Sequence, residues 1–219
     1  MLRFVGRYRI DDIEATRQEY RRVVAEATDR GSTLLLCSNH LTLIDSFLIA
    51  WALGSASWYV RHYAALPWNI PERRNFAVSL RQRVSAYVMK CLPITRGGNR
   101  GDIARVLAEF VHVLSRGDVG MLFPEAGRSR TGRVDLDAAA VGVGRIIRAL
   151  PRCQVLCVYL RGRHQETFSD YPIRGERFHV ALELVDPKSE HGGLRGSRDL
   201  ARQVLTVLAD MEERFFDAR

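Results

Sequence analysis

A histidine and an aspartate five residues apart are the first residues whose types and spacing suggest chemistry. His40 follows the apolar run TLLLCS over residues 33–38, which predicts a buried strand, and Asp45 falls in the first turn of the next predicted helix. A loop of this length can return the carboxylate to the imidazole, where it would fix the tautomer and stabilise the imidazolium. The pair predicts a general base, and a hydroxyl of the substrate could supply the nucleophile.

The same spacing has a simpler interpretation. Residues 42–45, Thr-Leu-Ile-Asp, match the pattern of a capping box, in which Asp45 would only close the start of a helix. In a chain with six histidines, an aspartate five residues after one of them is expected by chance with a probability of about a quarter. The spacing alone is therefore weak support for catalysis.

A second polar segment follows another predicted strand. Residues 119–123 (VGMLF) predict a buried strand, and the sequence FPEAGRSR over 123–130 continues from it. A polar turn there offers backbone N–H groups, a glycine for close approach and two guanidinium groups, which suit a phosphate or carboxylate. Glu125 could anchor an arginine or orient an acceptor. A surface loop whose charges neutralise one another is the alternative.

Composition indicates one soluble globular domain that interacts with an anionic partner. The 219 residues are 47% hydrophobic and 26% charged, which is ordinary for such a domain. The net charge of +8 comes almost entirely from arginine, because Lys90 and Lys188 are the only lysines. Nucleic acid, anionic lipid headgroups, a phosphorylated substrate and an acidic carrier protein are all compatible partners. Solvated surface charge is the alternative for each individual arginine.

The cysteines and the apolar stretches predict the compartment. None of the four cysteines forms a C-x-x-C pair or has zinc-ligand spacing with histidine, so we expect reduced core residues and no metal site: Cys37, Cys91, Cys153 and Cys157. No signal peptide is predicted. The longest apolar stretch, 34–53, contains Asn39, His40 and Asp45, which are costly in a bilayer, so no transmembrane helix is predicted. A cytoplasmic location is expected, with peripheral contact at the cytoplasmic face of a membrane as a further expectation.

Strands and helices alternate along the chain. We predict strands over residues 33–38, 57–63, 119–123, 154–160 and 178–185. We predict helices over residues 10–30, 43–53, 78–89, 101–116 and 136–150, and a last helix capped by Ser197. This order predicts an α/β fold: a single domain with a mixed, mostly parallel sheet flanked by helices, and an N-terminal helix.

Together, the two polar segments resemble the lysophosphatidic acid acyltransferase family of the glycerophosphate acyltransferase superfamily. The first motif of that family, N-H-x4-D, matches at Asn39, His40 and Asp45. The second motif is partly visible in the sequence LPITR over 92–96, which ends in Arg96. The apolar run over 154–160 lies where the family has its fourth motif. The third motif, F-P-E-x-x-R-S, matches at Phe123, Pro124, Glu125, Arg128 and Ser129.

The resemblance, which covers about residues 32–162, implies a glycerolipid acyltransferase-like fold and a reaction. The domain would span 32–219 after an N-terminal helical segment over 1–31. A fatty acyl group would move from an acyl-CoA or acyl-ACP thioester to a hydroxyl of a lysophospholipid such as 1-acylglycerol 3-phosphate. His40 would be the base and Asp45 would orient it. Substrate-binding residues would be Asn39, Arg96, Glu125, Gly127, Arg128, Ser129 and Arg130.

The resemblance also implies the partners. Besides the thioester co-substrate, no cofactor is expected, and nucleic acid is not an expected partner. A lipid acceptor and an anionic membrane are expected instead. Basic and aromatic residues around a proline-containing loop are the candidate membrane contact, although Trp68 could equally pack on the core: Arg61, His62, Tyr63, Trp68, Arg73 and Arg74.

Several departures from the family pattern concern the acceptor. Ala126 and Gly127 stand where the third motif usually has Gly and Thr, and Thr95 replaces the aspartate of the second. The fourth motif lacks its proline, and the N-terminal segment is hydrophilic, whereas many relatives carry a membrane-embedding helix pair. An acyltransferase of a specialised lipid or polyene pathway, with a non-phospholipid acceptor, is therefore the alternative.

Three other classes of protein remain as further alternatives. A hydrolase with its own nucleophile would need a motif such as G-x-S-x-G, which the sequence lacks. The interpretation as a nucleic-acid-binding protein depends only on the excess of arginines, which are spread over the chain and not clustered. A lipid-binding protein without catalysis would not need the His40–Asp45 pair.

Overall fold

The computed structural model describes residues 6–73, 86–95 and 97–219. Its strands are β1 (Arg9–Ile10), β2 (Thr33–Ser38), β3 (Trp68–Asn69), β4 (Gly120–Leu122), β5 (Cys153–Gly162) and β6 (Arg177–Val185). Its described helices are α1 (Ile13–Asp29), α2 (Asp45–Leu53), α3 (Ala56–Arg61), α4 (Arg100–Ser115), α5 (Val141–Ala149) and α6 (Gly193–Asp217). Short 3-10 turns lie at Tyr63–Ala65 and Leu136–Ala138.

The six strands form one mixed sheet in the order β1-β6-β5-β2-β4-β3. All neighbouring strands are parallel except β5 and β6, which are antiparallel. The predicted fold class, a mixed and mostly parallel sheet flanked by helices, is therefore confirmed. Because β2 is parallel to both β4 and β5, the loops that follow these three strands leave the sheet at the same edge.

Strand β2 lies at the centre and is buried on both faces. Leu35 and Cys37 pack into the core lined by α4, α5 and α6, whereas Leu34 and Leu36 pack into the core lined by α1 and α2. Successive side chains of a strand point to opposite faces, so a continuous apolar run is what a strand covered by helices on both sides requires. This burial fixes where β2 ends and where the loop carrying His40 begins.

The N-terminal segment joins the same sheet. Strand β1 pairs with β6, with Arg9 opposite Arg177, and α1 buries Tyr20 and Val23 in the core that it shares with α2. The predicted boundary between residues 31 and 32 falls in the turn between α1 and β2.

One predicted strand and one predicted helix cap were wrong, and one predicted helix was partly wrong. The predicted strand over 57–63 is helix α3, which Ser55 caps by accepting a hydrogen bond from the Trp58 N–H at 3.2 Å. The predicted helix over 136–150 is split, because the Ala140 N–H bonds the carbonyl of Pro124 at 2.8 Å and holds that segment extended. Ser197 does not cap α6. It lies one turn inside the helix, where its hydroxyl donates to the Gly193 carbonyl at 3.1 Å.

Two sequence expectations concern the whole chain. All four cysteines are buried and free, as expected of small core residues. Within the described parts of the chain, no helix has both the length and the apolar composition that crossing a membrane requires. Most of the predicted helix over 78–89 lies outside the described residues.

Candidate active site

The two polar segments meet at the carboxyl edge of the sheet. Asn39 and His40 follow β2, and Phe123 follows the neighbouring parallel strand β4. The backbone N–H of Ser129 donates to the His40 carbonyl at 2.9 Å, and the rings of His40 and Phe123 stack with centroids 4.0 Å apart and planes at 16°. The parallel pairing of β2 and β4 therefore brings together residues that are about ninety positions apart in the sequence.

The predicted contact between Asp45 and His40 is present. The Asp45 Oδ2 atom lies 3.0 Å from His40 Nδ1, and the two side chains are only 4% and 13% exposed. An ionised carboxylate can only accept, so Nδ1 carries the proton and donates it to Asp45. The other ring nitrogen, Nε2, is then the one that can accept a proton. This is the arrangement of an imidazole oriented for general-base chemistry.

Asp45 also holds the backbone of the loop that carries His40. Its Oδ2 accepts from the N–H groups of Leu41 at 2.6 Å and Thr42 at 2.7 Å, and its Oδ1 accepts from the Thr42 hydroxyl. Helix α2 starts at Asp45, and the residue before it, Ile44, provides no side-chain cap. The capping-box alternative is therefore partly what forms, because Asp45 bonds back to the Thr42 N–H and the Thr42 hydroxyl oxygen accepts from the Ile44 N–H at 3.3 Å. The same carboxylate bonds His40 as well.

The side chain of Asn39 links two strands. Its Nδ2 donates to the carbonyl of Leu160 at 2.9 Å, and its Oδ1 accepts from the N–H of the same residue, also at 2.9 Å. Both ends of the buried amide are thus used to join the end of β2 to β5, which fixes the position from which His40 leaves the sheet. A substrate contact by Asn39 stays a prediction.

Glu125 is a buried carboxyl group beside the histidine loop. Among the described residues, nothing forms a hydrogen bond with its buried Oε1. Burial raises the pKa of Glu125 to about 7, and the negative charges of Asp135 and Glu212 act in the same direction. Backbone hydrogen bonds from Asp135 and His40 oppose this shift. Near neutral pH the group can therefore either donate or accept a hydrogen bond.

The other predicted binding residues of the second loop, which comprises residues 123–130, differ in burial and in hydrogen bonding. Arg128 Nη1 donates to the carbonyl of Ser169 at 3.0 Å and to Asp170 Oδ1 at 2.7 Å. The Ser129 hydroxyl, which is buried, donates to the carbonyl of Arg133. Arg130 is exposed, and the space around the Cα of Gly127 is open. Arg96 lies outside the described residues.

Sequence reasoning missed the segment after β5 that joins the two loops. The N–H of Ser169 donates to the Leu41 carbonyl at 3.0 Å, and the N–H of Leu43 donates to the Asp170 carbonyl at 3.2 Å. The same two residues hold Arg128. The available signal was the position of this segment directly after a strand that is parallel to β2.

A buried ion pair between Arg161 and Glu212, which sequence reasoning also missed, contacts the segment that follows the second loop. Arg161 is 2% exposed, bonds the carbonyls of Gly132 and Glu166, and lies 3.5 Å from Glu212. Glu212, on α6, accepts from the Val134 N–H at 3.0 Å and from the Tyr159 hydroxyl. No motif predicts this cluster, because its members lie on segments far apart in the sequence.

Fold and site together define an α/β domain that carries an oriented histidine at the carboxyl end of its central strand. The family model described as Acyltransferase matches residues 12–174, which include both loops. Because this match covers more than half of the chain, the protein belongs to the Acyltransferase family and is an acyltransferase enzyme. A comparison with curated proteins found no match.

In the described residues, no group of three or more His, Cys, Asp or Glu side chains could hold a metal ion.

Proposed function

We propose that this acyltransferase moves a fatty acyl group from an acyl-CoA or acyl-ACP thioester to a hydroxyl of a lysophospholipid such as 1-acylglycerol 3-phosphate. The observation that carries the proposal is the 3.0 Å contact between His40 Nδ1 and Asp45 Oδ2, which leaves Nε2 to take a proton. The family-model match supports the acyl chemistry but does not define the donor or the acceptor.

In the proposed reaction, the acceptor itself is the nucleophile. His40 Nε2 takes the hydroxyl proton as the acceptor oxygen attacks the thioester carbonyl carbon. Asp45 stabilises the imidazolium that forms, because its carboxylate lies 3.0 Å from Nδ1. The carbon–sulfur bond then breaks, and the imidazolium returns the proton to the leaving thiolate. The products are an ester and a free thiol, and no acyl group becomes attached to the protein.

The second loop would bind the acceptor. Arg128 and the exposed Arg130 could contact an anionic group, and Arg128 can do so bidentately. Glu125, whose carboxyl lies beside the histidine loop with one oxygen unpaired among the described residues, would hold a hydroxyl of the acceptor. Arg96 is proposed from the sequence alone.

A second candidate is transfer to an acceptor without a phosphate. Arg128 already bonds Asp170 Oδ1 at 2.7 Å, so a phosphate would have to compete with an internal carboxylate. The replacement of the usual glycine and threonine of the third motif by Ala126 and Gly127 changes the same loop. Both features favour a neutral hydroxyl compound of a specialised lipid or polyene pathway as the alternative acceptor.

Peripheral contact with an anionic membrane belongs to the same proposal. Tyr63 bonds the Val88 carbonyl at 2.7 Å, and both belong to a surface patch of exposed apolar residues beside Arg61. Trp68, a candidate from the sequence, instead packs into the core and is 5% exposed. Arg74 lies outside the described residues. The patch comprises Val60, Tyr63, Tyr87, Val88 and Met89.

Acyl transfer to a panel of acceptors tests the proposed reaction. Labelled acyl-CoA and acyl-ACP are each offered with lysophosphatidic acid, glycerol 3-phosphate, neutral lysolipids and soluble alcohols. Formation of phosphatidic acid from lysophosphatidic acid is the expected result. Transfer only to unphosphorylated alcohols would replace the first candidate by the second. Hydrolysis of the thioester without transfer to any hydroxyl, or a labelled acyl group trapped on the protein, would contradict both.

A further inference from the structure

A groove on the α1–α2 side of the sheet lies apart from the His40 loop. It has a volume of about 880 Å³, which is within the range of pockets for small molecules and cofactors. Its walls come from β1, the first turns of α1, Trp51 of α2, and the residues Arg163 and Arg177 at the ends of β5 and β6. Neither of the two motif loops contributes to it.

The groove carries an excess of positive charge. A single carboxylate, Asp11, is shared by two arginines, since its Oδ2 bonds Arg163 at 2.9 Å and its Oδ1 bonds Arg177 at 2.7 Å. Arg7 and Arg9 have no carboxylate partner among the described residues, and positions 1–5, 74–85 and 96 contain no Asp or Glu. In all, five arginines and three carboxylates line the groove: Arg7, Arg9, Arg17, Arg163, Arg177, Asp11, Asp12 and Glu14.

The groove opens at the edge of the sheet where His40 lies. Ile10 of β1 pairs with Phe178, which in turn pairs with Gly162 at the carboxyl end of β5. Strand β1 is three positions from β2 in the sheet, and neighbouring strands are about 4.8 Å apart. The groove beside β1 and the end of β2, where His40 follows, are therefore about 14 Å apart across the sheet.

Helix α2 provides a second measure of the separation. Trp51 lies six residues after Asp45 on this helix, which corresponds to about 9 Å along its axis. The Arg17 guanidinium donates to the Trp51 carbonyl at 3.1 Å, so the groove wall is tied to the helix that begins at the His40 contact. The pantetheine arm of CoA, when extended, spans distances of this order.

We propose that this groove binds the adenosine 3′,5′-bisphosphate end of an acyl-CoA donor, whose pantetheine arm runs along the edge of the sheet to His40. The inference rests on the proposed function and assigns the donor within it. Arginines bind phosphate through paired hydrogen bonds, and no carboxylate among the described residues engages Arg7 or Arg9. Tyr8 and Trp51 add aromatic surface for a base. The concave shape suits a nucleotide better than the globular surface of a carrier protein.

Binding of CoA itself tests the groove. CoA carries no acyl group, so its calorimetric binding does not depend on transfer chemistry. The double variant R7E/R9E reverses the two unpaired charges, and R105E/R198E makes the same charge change on exposed arginines of α4 and α6. We expect R7E/R9E to weaken CoA binding by about tenfold or more and the control variant to change it less than about twofold. Circular dichroism checks that both variants are folded.

Donor selectivity gives a second readout. Acyl-pantetheine has the same thioester without the nucleotide, so the preference for acyl-CoA over acyl-pantetheine should fall by about tenfold in R7E/R9E and stay constant in R105E/R198E. Unchanged CoA binding in R7E/R9E, equal weakening in both variants, or loss of only acyl-ACP-dependent turnover would overturn the proposal. An active His40→Ala variant would overturn the proposed mechanism but leave the CoA-binding result standing, so the two failures are distinguishable.

Discussion

At the scale of single residues, Asp45 combines two tasks. It holds the loop through the N–H groups of Leu41 and Thr42, and the same Oδ2 atom contacts His40. The geometry of the loop and the orientation of the imidazole are therefore set by one carboxylate. Sequence spacing predicted the contact with His40, and the capping-box pattern predicted the bond to the Thr42 N–H. The bond to the Leu41 N–H was not predicted, because it depends on how the loop folds back.

Glu125 makes the stability of the protein depend on pH in an unusual direction. Its pKa of about 7 is above the ordinary 4.5, so the folded chain binds more protons than the unfolded chain between these values. The free energy of unfolding contributed by this group therefore falls as pH rises from about 4.5 to about 7. Glu125→Gln removes this term, so the variant should gain stability relative to wild type between about pH 5 and about pH 8, by up to about 3 kcal/mol.

Urea unfolding of both proteins at the two pH values measures this difference. Asp135→Asn serves as a comparison, because it removes a neighbouring negative charge and leaves the Glu125 carboxyl in place. A stability difference between wild type and Glu125→Gln that is the same at both pH values would show that the pKa of Glu125 is not raised.

Arg128 separates the two candidate acceptors. If it binds a phosphate, Arg128→Ala should raise the KM for a phosphorylated acceptor by about tenfold or more, since a charged hydrogen bond is lost. The KM for an acceptor without phosphate should change little. Arg174→Ala, an exposed arginine of the neighbouring segment, is the matched control. Equal effects on both acceptors would instead assign Arg128 to holding Ser169 and Asp170 in place.

At the scale of elements, burial patterns predicted most of the sheet and local chemistry explained the errors. The apolar runs at β2 and β5 and the amphipathic stripe of α4 were recognisable, because each element must bury one or two faces. The segment 57–63 was misassigned because its apolar residues are compatible with a strand, while Ser55 supplies the cap that favours a helix. The joins between elements, such as Asn39 to Leu160 and Arg128 to Asp170, have no signature in a single sequence.

The buried Arg161–Glu212 pair is expected to hold α6 against the second loop. Glu212→Ala would leave a buried guanidinium without its carboxylate and the Val134 N–H without an acceptor, which should cost about 3–5 kcal/mol of unfolding free energy. Glu212→Gln should cost less, because the amide oxygen can still accept from the Val134 N–H and the amide NH2 can donate to the Tyr159 hydroxyl oxygen. Denaturant unfolding distinguishes the two, and an equally small effect of both changes would contradict this role.

At the scale of the whole molecule, the sequence predicted the fold class and, through its two motifs, an acyltransferase, and both are confirmed. The narrower lysophosphatidic acid acyltransferase assignment stays a prediction. The chemistry of the acceptor was not predictable in the same way. The side chains that would select it lie in loops whose conformation depends on the segment after β5 and on α6. The groove beside β1 could not be predicted either, since its arginines come from three separate parts of the chain.

The net charge of +8 and the exposed apolar patch lead to a prediction about membranes. The protein should sediment with vesicles rich in an anionic phospholipid, and binding should weaken at higher salt because screening reduces the attraction of surface arginines. Val60→Glu introduces a charge at a position that is 81% exposed within the patch and should reduce binding several-fold. Leu194→Glu makes the same kind of change at an exposed apolar residue elsewhere. Equal binding of both variants would exclude the patch as the contact.

The most direct test of the account is the turnover number of His40→Ala with the acceptor that the wild type uses. Removal of the general base should lower kcat by about 10²–10⁴ while the thermal unfolding curve stays cooperative. His191→Ala, which removes an exposed histidine before α6, controls for the loss of an imidazole as such and should keep wild-type turnover. A folded His40→Ala protein that turns over at the wild-type rate would contradict the central claim that His40 activates the acceptor hydroxyl.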